Sequence, residues 1–147
     1  MINQSGTRCV IMRGGTSKGV FFMEHDLPRD PARRDQFILA VMGSPDPRQI
    51  NGLGGADYLT SKIAIIGPGT NGADVDYTFG QVGYEQAYVS YFSNCGNLSA
   101  AVGVFALEEG LVKAVEPETT VRIFNTNTGK TLISHVPVRN GAPQVEG

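Results

Sequence analysis

The chain has 147 residues and a formal net charge of −2, a length that suits one ordinary domain. Hydrophobic residues make up 41% of it and charged residues 18%, which is enough apolar material for a core and argues against global disorder. The near-neutral charge excludes an electrostatic footprint for nucleic acid or for an anionic membrane surface. No apolar run approaches the roughly 20 residues that span a bilayer.

The cysteines and the N-terminal residues indicate the cellular compartment, and the C-terminal residues indicate a domain boundary. Cys9 and Cys95 are too few for a disulfide framework and too far apart in sequence for paired metal ligands. The sequence therefore predicts free thiols in a cytoplasmic protein. Residues 1–8 are polar and lack the apolar core of a secretory signal. Residues 140–147 are turn-like, as expected for a chain that ends at a domain boundary.

The first third of the chain predicts a strand pair followed by a helix. Apolar residues at 10–12 and 20–23 indicate two strands, and the glycine-rich residues 14–19 between them indicate a hairpin-like turn. Asp30 is a typical N-cap, and the proline that follows it suits the first helical position. The apolar stripe of this amphipathic helix ends at Gly43, a typical residue beyond a helix C-terminus.

Five further strands are predicted downstream. The run at residues 62–66 is typical of a strand buried on both faces, and residues 75–79 alternate as a half-buried strand does. Residues 88–92 form a short strand. Residues 121–124 and 131–138 form two more, joined by an Asn-Thr-Asn-Thr-Gly segment that favours a hairpin.

Residues 98–107 predict a buried helix, because eight of these ten residues are apolar and a helix that is apolar all round is buried all round. Gly110 is a natural residue just beyond its end. Mainly antiparallel strands and one such helix predict a single α+β domain over residues 1–147. In it, a curved sheet wraps around the central apolar helix.

Cys95 is the first candidate for a chemical role, because it directly precedes this helix. The first N–H groups of a helix have no intrahelical partner and carry partial positive charge, which favours a thiolate and can hold a substrate carboxylate. The hypothesis requires a sulfur that faces an open pocket with the Lys62 ammonium within reach. The alternative is a buried cysteine that acts as a small hydrophobic residue.

Lys62 is the second candidate. It directly precedes the apolar residues 63–66, where a charge that faces the interior is costly. A partly buried lysine can serve as a general acid or base. The alternative is a lysine at the end of a strand whose ammonium reaches solvent.

Two glycine-rich segments could bind an anion through backbone N–H groups. Residues 14–19 do not match a Walker loop, because Gly19 rather than Ser or Thr follows Lys18. They suit a nest for a carboxylate or, alternatively, a tight turn, and residues 52–55 leave the same alternatives. His25 and His135 lack partners at metal-ligand spacing, so no metal site is predicted.

Six segments in the same order resemble those of the PrpF-like isomerases, over about residues 9–138. They are residues 12–19, 43–46, 49–56, 60–62, 74–77 and 94–97. The family includes 2-methylaconitate cis–trans isomerase, methylitaconate Δ-isomerase and 4-oxalomesaconate tautomerase. The resemblance implies a fold similar to that of diaminopimelate epimerase, in which two related domains each wrap a sheet around an apolar helix and the active site lies between them.

The resemblance also implies the chemistry. A cofactor-independent isomerase or tautomerase moves a proton across an allylic unit of a small unsaturated di- or tricarboxylate. Lys62 and Cys95 correspond to the proton-transfer pair, with the choice of base left open. The substrate-binding positions are Ser17, Gly55, Ser61, Gly96 and Asn97. The chain stops after one domain, so a second similar domain is the expected partner, and a homo-oligomer remains open.

Two rival functions remain at this point. An epimerase or racemase of the same fold usually uses two cysteines, one from each domain, and Lys62 in place of a second thiol argues against it. A non-catalytic accessory domain that grips carboxylates would bind the substrate without exchanging its protons with solvent.

Overall fold

The computed structural model describes residues 6–144. Most of the predicted polar N-terminus and the end of the turn-like C-terminus lie outside these residues. The elements are β1 (Val10–Gly14), β2 (Ser17–Met23), α1 (Pro31–Met42), β3 (Lys62–Pro68), β4 (Val75–Val82), β5 (Val89–Ser90), α2 (Gly96–Glu108), β6 (Glu118–Asn125), β7 (Lys130–Arg139) and β8 (Ala142–Pro143), with one turn of 3₁₀ helix at Glu24–Asp26.

One mixed sheet contains all of these strands. Its order is β1-β2-β3-β4-β6-β7-β8, and β5 pairs with β4 off this path. The β2–β3 and β4–β6 pairs are parallel, and the others are antiparallel. Helix α2 packs against β1, β2, β4, β6, β7 and β8, so the sheet curls around it. The predicted α+β architecture, with a curved sheet around an apolar helix, is confirmed.

The sheet separates two apolar layers. Phe21 and Tyr77 pack with Phe105 of α2 on the inner face, whereas Phe22 and Ile63 pack with Ile38 of α1 on the outer face. Successive side chains of a strand point to opposite faces, so β3 contributes to both layers. Its burial on both faces, predicted from its continuous apolar run, is confirmed.

The helix ends follow the predicted signals. The Asp30 carboxylate accepts a hydrogen bond of 3.0 Å from the Arg33 N–H and caps α1, and Gly43 beyond it is left-handed, with φ of 79°. Gly110 is also left-handed, with φ of 72°. Neither α1 nor α2 is long and apolar enough to cross a bilayer.

Several boundaries differ from prediction. Strand β2 begins at Ser17, β4 runs to Val82 and β6 begins at Glu118, because strand pairing continues past the apolar residues. Helix α2 begins at Gly96 rather than at Leu98, because Cys95 itself is the N-cap. The strand predicted at residues 88–92 is reduced to Val89–Ser90, because only Gln81 and Val82 of β4 pair with it. The short edge strand β8 was not predicted, since two residues carry too little pattern to be recognised.

The β1–β2 turn packs tightly on the start of α2. A Cβ at Gly14 would collide with the backbone oxygen of Asn97, and the Asn97 side chain donates a hydrogen bond of 3.0 Å to Thr16 Oγ1. Glycine at position 14 therefore allows the turn and the helix N-terminus to form one rigid junction.

Replacing Gly14 with alanine is expected to lower the free energy of unfolding by about 1–3 kcal/mol, because the added methyl meets backbone that cannot rotate away. Gly6→Ala is the matched control, since no atom lies within 4 Å of a Cβ there. Chemical denaturation measures both variants. Equal stabilities would show that the junction tolerates a methyl group.

Candidate active site

The sheet and α2 bring Lys62 and Cys95 together. Lys62 is the first residue of β3 and Cys95 is the N-cap of α2. Lys62 Nζ lies 3.4 Å from Cys95 Sγ, although 33 positions separate the two residues in sequence. Both residues are buried, with 4% and 5% of their surface exposed. The two residues singled out independently in the sequence therefore form one contact.

The Lys62 ammonium points into the protein rather than into solvent. It donates a hydrogen bond of 3.1 Å to Ser17 Oγ, and the ring centroids of Tyr58 and Phe79 lie 5.0 Å and 5.6 Å from Nζ. A buried charge is costly unless it is paired and hydrogen-bonded, and the sulfur, the hydroxyl and the two rings meet that need. The alternative in which Lys62 reaches solvent is wrong.

Negative charge on Cys95 Sγ is stabilised from two directions. The N–H of Leu98, in the first turn of α2, donates a hydrogen bond to Sγ at 3.2 Å. The Lys62 ammonium also donates to Sγ. The positive end of the helix dipole acts at the same atom. Cys95 borders the apolar core, but these polar contacts distinguish it from a cysteine that only fills space.

One feature of the predicted site differs. The hypothesis placed the sulfur in an open pocket, whereas only 5% of Cys95 is exposed in this chain. Two surface cavities are lined by neighbours of the pair, but not by Lys62 or Cys95 themselves. One of about 340 Å³ is lined by Gly96 and Ser134, and one of about 210 Å³ is lined by Tyr58 and Tyr88. A cavity of about 490 Å³ beside His25 and Pro68 is at the opposite end of β3 and does not include the pair.

Gly96 and Asn97 suit the predicted role of a carboxylate anchor. Both are exposed and occupy the first two positions of α2, where backbone N–H groups have no intrahelical acceptor. Such N–H groups and the helix dipole bind anions. Ser17 is fully buried, and its Oγ lies 3.1 Å from Lys62 Nζ and 3.5 Å from Cys95 Sγ. It therefore bridges the pair, and its role in substrate binding stays a prediction.

Ser61 and Gly55, also predicted to bind substrate, form hydrogen bonds within the chain. The Ser61 hydroxyl is fully buried, donates to Val82 O at 2.8 Å and accepts from Gln49 Nε2 at 3.0 Å. The Gly55 N–H is bonded to Thr60 O at 3.2 Å. The Ser61 hydroxyl and the Gly55 N–H therefore stabilise the loop before β3, and a role of these residues in substrate binding stays a prediction.

Sequence reasoning missed Tyr77. Its hydroxyl is buried and donates to the backbone oxygen of Cys95 at 3.5 Å. Burial raises the pKa of Tyr77, and negative charge on Cys95 raises it further, so the phenol stays protonated as a donor. The alternation of residues along β4 predicts that Tyr77 faces one side of the sheet. Only the fold shows that the Tyr77 hydroxyl reaches the backbone of Cys95 on that side.

The β6–β7 turn holds the segment before Cys95. Asn125 Nδ2 donates to Asn94 Oδ1 at 2.8 Å, and Asn127 Nδ2 donates to Tyr91 O at 2.8 Å. Asn127 Oδ1 also accepts from the N–H of Phe79 at 2.8 Å. The sequence indicated only a hairpin turn here, because the partners of these amides lie more than 30 residues away.

Comparison with known proteins identifies the family of this chain. The model of the PrpF protein family matches residues 4–147. The chain belongs to the PrpF family. It is similar to 3-methylitaconate isomerase of Eubacterium barkeri, with 59% identity over 100% of this chain and 39% of the relative. It is also similar to 4-oxalomesaconate tautomerase of Pseudomonas putida, with 52% identity over 99% of this chain and 41% of the relative.

Solved structures agree with the fold. A crystal structure of methylitaconate-Δ-isomerase is 61% identical, with a TM-score of 0.92 over 95% of this PrpF-family chain and 62% of the other. A probable proline racemase from Agrobacterium radiobacter shares the fold alone, at 19% identity and a TM-score of 0.58 over 91% of this chain and 38% of the other. The chain spans about 40% of the length of the curated relatives described above.

Exchanging Lys62 for methionine is expected to slow alkylation of Cys95 by iodoacetamide roughly tenfold, because negative charge on the sulfur loses the cation that lies 3.4 Å away. Mass spectrometry of the Cys95 peptide gives the rate. Lys113→Met, at an exposed position, is the control and should leave the rate unchanged. An unaltered rate in Lys62→Met would mean that the contact does not govern the sulfur.

Proposed function

We propose that the protein containing this chain is a cofactor-independent isomerase that moves a proton across an allylic unit of a small unsaturated di- or tricarboxylate. The observation that carries the proposal is the 3.4 Å contact between Lys62 Nζ and Cys95 Sγ beside a helix N-terminus. Relatives named as isomerases and tautomerases of methylitaconate and oxalomesaconate support the substrate class.

The pair supplies one acid and one base. The base removes a proton from the carbon adjacent to the double bond, and the acid delivers a proton to the far carbon of the same three-carbon unit. The proton gained by the base then passes across the Nζ–Sγ contact and restores both groups, so no net proton is consumed. A separation of 3.4 Å is comparable with the span of an allylic unit, which allows both groups to act from one face of the substrate.

Negative charge accumulates on the substrate carboxylate during this transfer, because removal of the proton gives a dienolate-like intermediate. Fixed donors aimed at that charge lower the barrier. The N–H groups of Gly96 and Asn97, two exposed residues, fit this role, and both residues follow Cys95 directly in sequence. The same short segment thus binds the substrate and acts on it.

We further propose that residues 1–147 form one domain and that a second, similar domain completes the site in the cytoplasm. The curated relatives are about two and a half times as long as this chain. Large side chains are exposed, including Tyr58 beside Lys62 at 58% and Phe92, three residues before Cys95, at 99%, which fits a surface that another domain covers. The free state of Cys9 and Cys95 fits a reducing compartment.

The buried Lys62–Cys95 contact favours catalysis over simple binding. A domain that only binds carboxylates would gain from an ammonium directed at its ligand, whereas this buried ammonium is directed at Cys95 Sγ and Ser17 Oγ. A racemase with two thiols would take its second thiol from the other domain, whereas here Lys62 contacts Cys95 within one domain.

Cys95→Ser and Lys62→Met are each expected to lower turnover by roughly 10²- to 10⁴-fold in the complete protein, because each removes one proton-transfer group. The measurement is incorporation of solvent deuterium into a methylitaconate-like substrate, followed by NMR. Cys9→Ser is the control, since that thiol contributes to the outer layer of the core.

Circular dichroism of the same variants separates chemistry from folding. Retained substrate binding without deuterium exchange in the wild-type protein would contradict the isomerase and support a binding domain. Full activity in Lys62→Met would remove the lysine from the mechanism.

A further inference from the structure

We propose that Tyr58 is a positioning residue for Lys62 and that the buried amide of Gln81 holds Tyr58 in place. The inference rests on the proposed function, in which the Lys62 ammonium transfers a proton. Tyr58 is 58% exposed, whereas Lys62 is 4% exposed, and the Tyr58 ring centroid lies 5.0 Å from Nζ. The ring therefore covers the buried ammonium on a side that solvent reaches.

The ring limits where the ammonium can go. A lysine side chain is flexible and its charge has no preferred plane, so its position depends on the groups around Nζ. A cation within about 6 Å of an aromatic centroid is attracted to the ring face. Phe79 provides one such face from β4, at 5.6 Å. Tyr58 provides the second from the loop before β3, so its position depends on how that loop is held.

Gln81 holds the loop. It lies opposite Lys62 in the register of β3 and β4 and is 6% exposed. Its Nε2 donates to the backbone oxygens of Tyr58 and Ser61, at 3.0 Å and 2.9 Å. The backbone of Leu59, between them, accepts a hydrogen bond of 2.9 Å from the N–H of Lys18 in β2. The segment that leads into Lys62 is thus fixed at three points.

The side-chain oxygen of Gln81 is unsatisfied, and the cost of burying it must be offset by the hydrogen bonds of the amide nitrogen. Its Oε1 is buried and has no hydrogen-bond partner among residues 6–144, and such an oxygen costs stability that an apolar side chain would avoid. Rotating the amide by half a turn would aim Oε1 at two carbonyl oxygens, so the orientation is fixed. The gain that offsets this cost is the pair of bonds that fixes Tyr58 and Ser61.

The test compares Tyr58→Phe with Tyr58→Leu in the complete protein. Phenylalanine keeps the ring face and leucine removes it. Because position 58 is exposed, we expect both variants to fold. The first measurement is the NMR resonance of the ¹³C-labelled Lys62 Cε methylene, assigned by its loss in Lys62→Met. Aromatic rings near this group shift its resonance, so we expect the shift to be retained in Tyr58→Phe and reduced in Tyr58→Leu, where the contribution of Phe79 remains.

The second measurement is kinetic. Tyr58→Leu is expected to lower kcat by roughly 3- to 30-fold with little change in KM, from the usual strength of a cation–π contact, whereas Tyr58→Phe retains kcat. Tyr88→Leu is the matched control, because this tyrosine is 48% exposed and lines the same surface cavity, while the rings found over Nζ in the described chain are those of Tyr58 and Phe79.

Gln81→Met tests the support beneath the ring. It should displace the Lys62 resonance in the same direction as Tyr58→Leu, and an unchanged resonance would overturn the role of Gln81. An unchanged resonance in Tyr58→Leu, or equal kinetic losses in the Leu and Phe variants, would overturn the role of the ring. Because the resonance does not depend on turnover, an active Lys62→Met variant would refute the proposed function separately.

Discussion

The contact between the buried Lys62 ammonium and the Cys95 sulfur is the interaction on which the rest of the site depends. A charged amine in the interior is stable only with polar partners, and here those partners are the sulfur, Ser17 Oγ and two aromatic rings. The sulfur in turn accepts the N–H of Leu98. The same arrangement that stabilises the buried lysine places two groups that can exchange a proton 3.4 Å apart.

The fold serves to hold that contact in place. A curled sheet brings the start of β3 to the start of α2, and each start is braced by a different neighbour. The glycine-rich β1–β2 turn packs against Asn97, the β6–β7 turn bonds to the segment before Cys95, and Gln81 fixes the segment before Lys62. The irregular segments next to Lys62 and Cys95 are therefore held in place by hydrogen bonds and close packing.

Local signals made much of this predictable. The caps at Asp30 and Gly43, the apolar helix α2 and the doubly buried β3 follow from residue types and periodicity. Cys95 was identified as a thiol at the N-terminus of a helix, and Lys62 as a charged residue beside an apolar run. The low exposure of Cys95, the internal bonds of Ser61 and the bracing by Asn127 could not be foreseen, because each depends on partners far away in sequence. Sequence resemblance pointed to Ser61 without showing that its hydroxyl is occupied.

The claim that Lys62 and Cys95 form a single proton-transfer unit is tested most directly by a double-mutant cycle on solvent deuterium incorporation. Lys62→Met, Cys95→Ser and the double variant are compared with wild type in the complete protein. If the proton path runs through both groups, the double variant exchanges about as slowly as each single variant, since either change interrupts the path. Losses that multiply in the double variant would contradict a shared path and assign the two side chains independent roles.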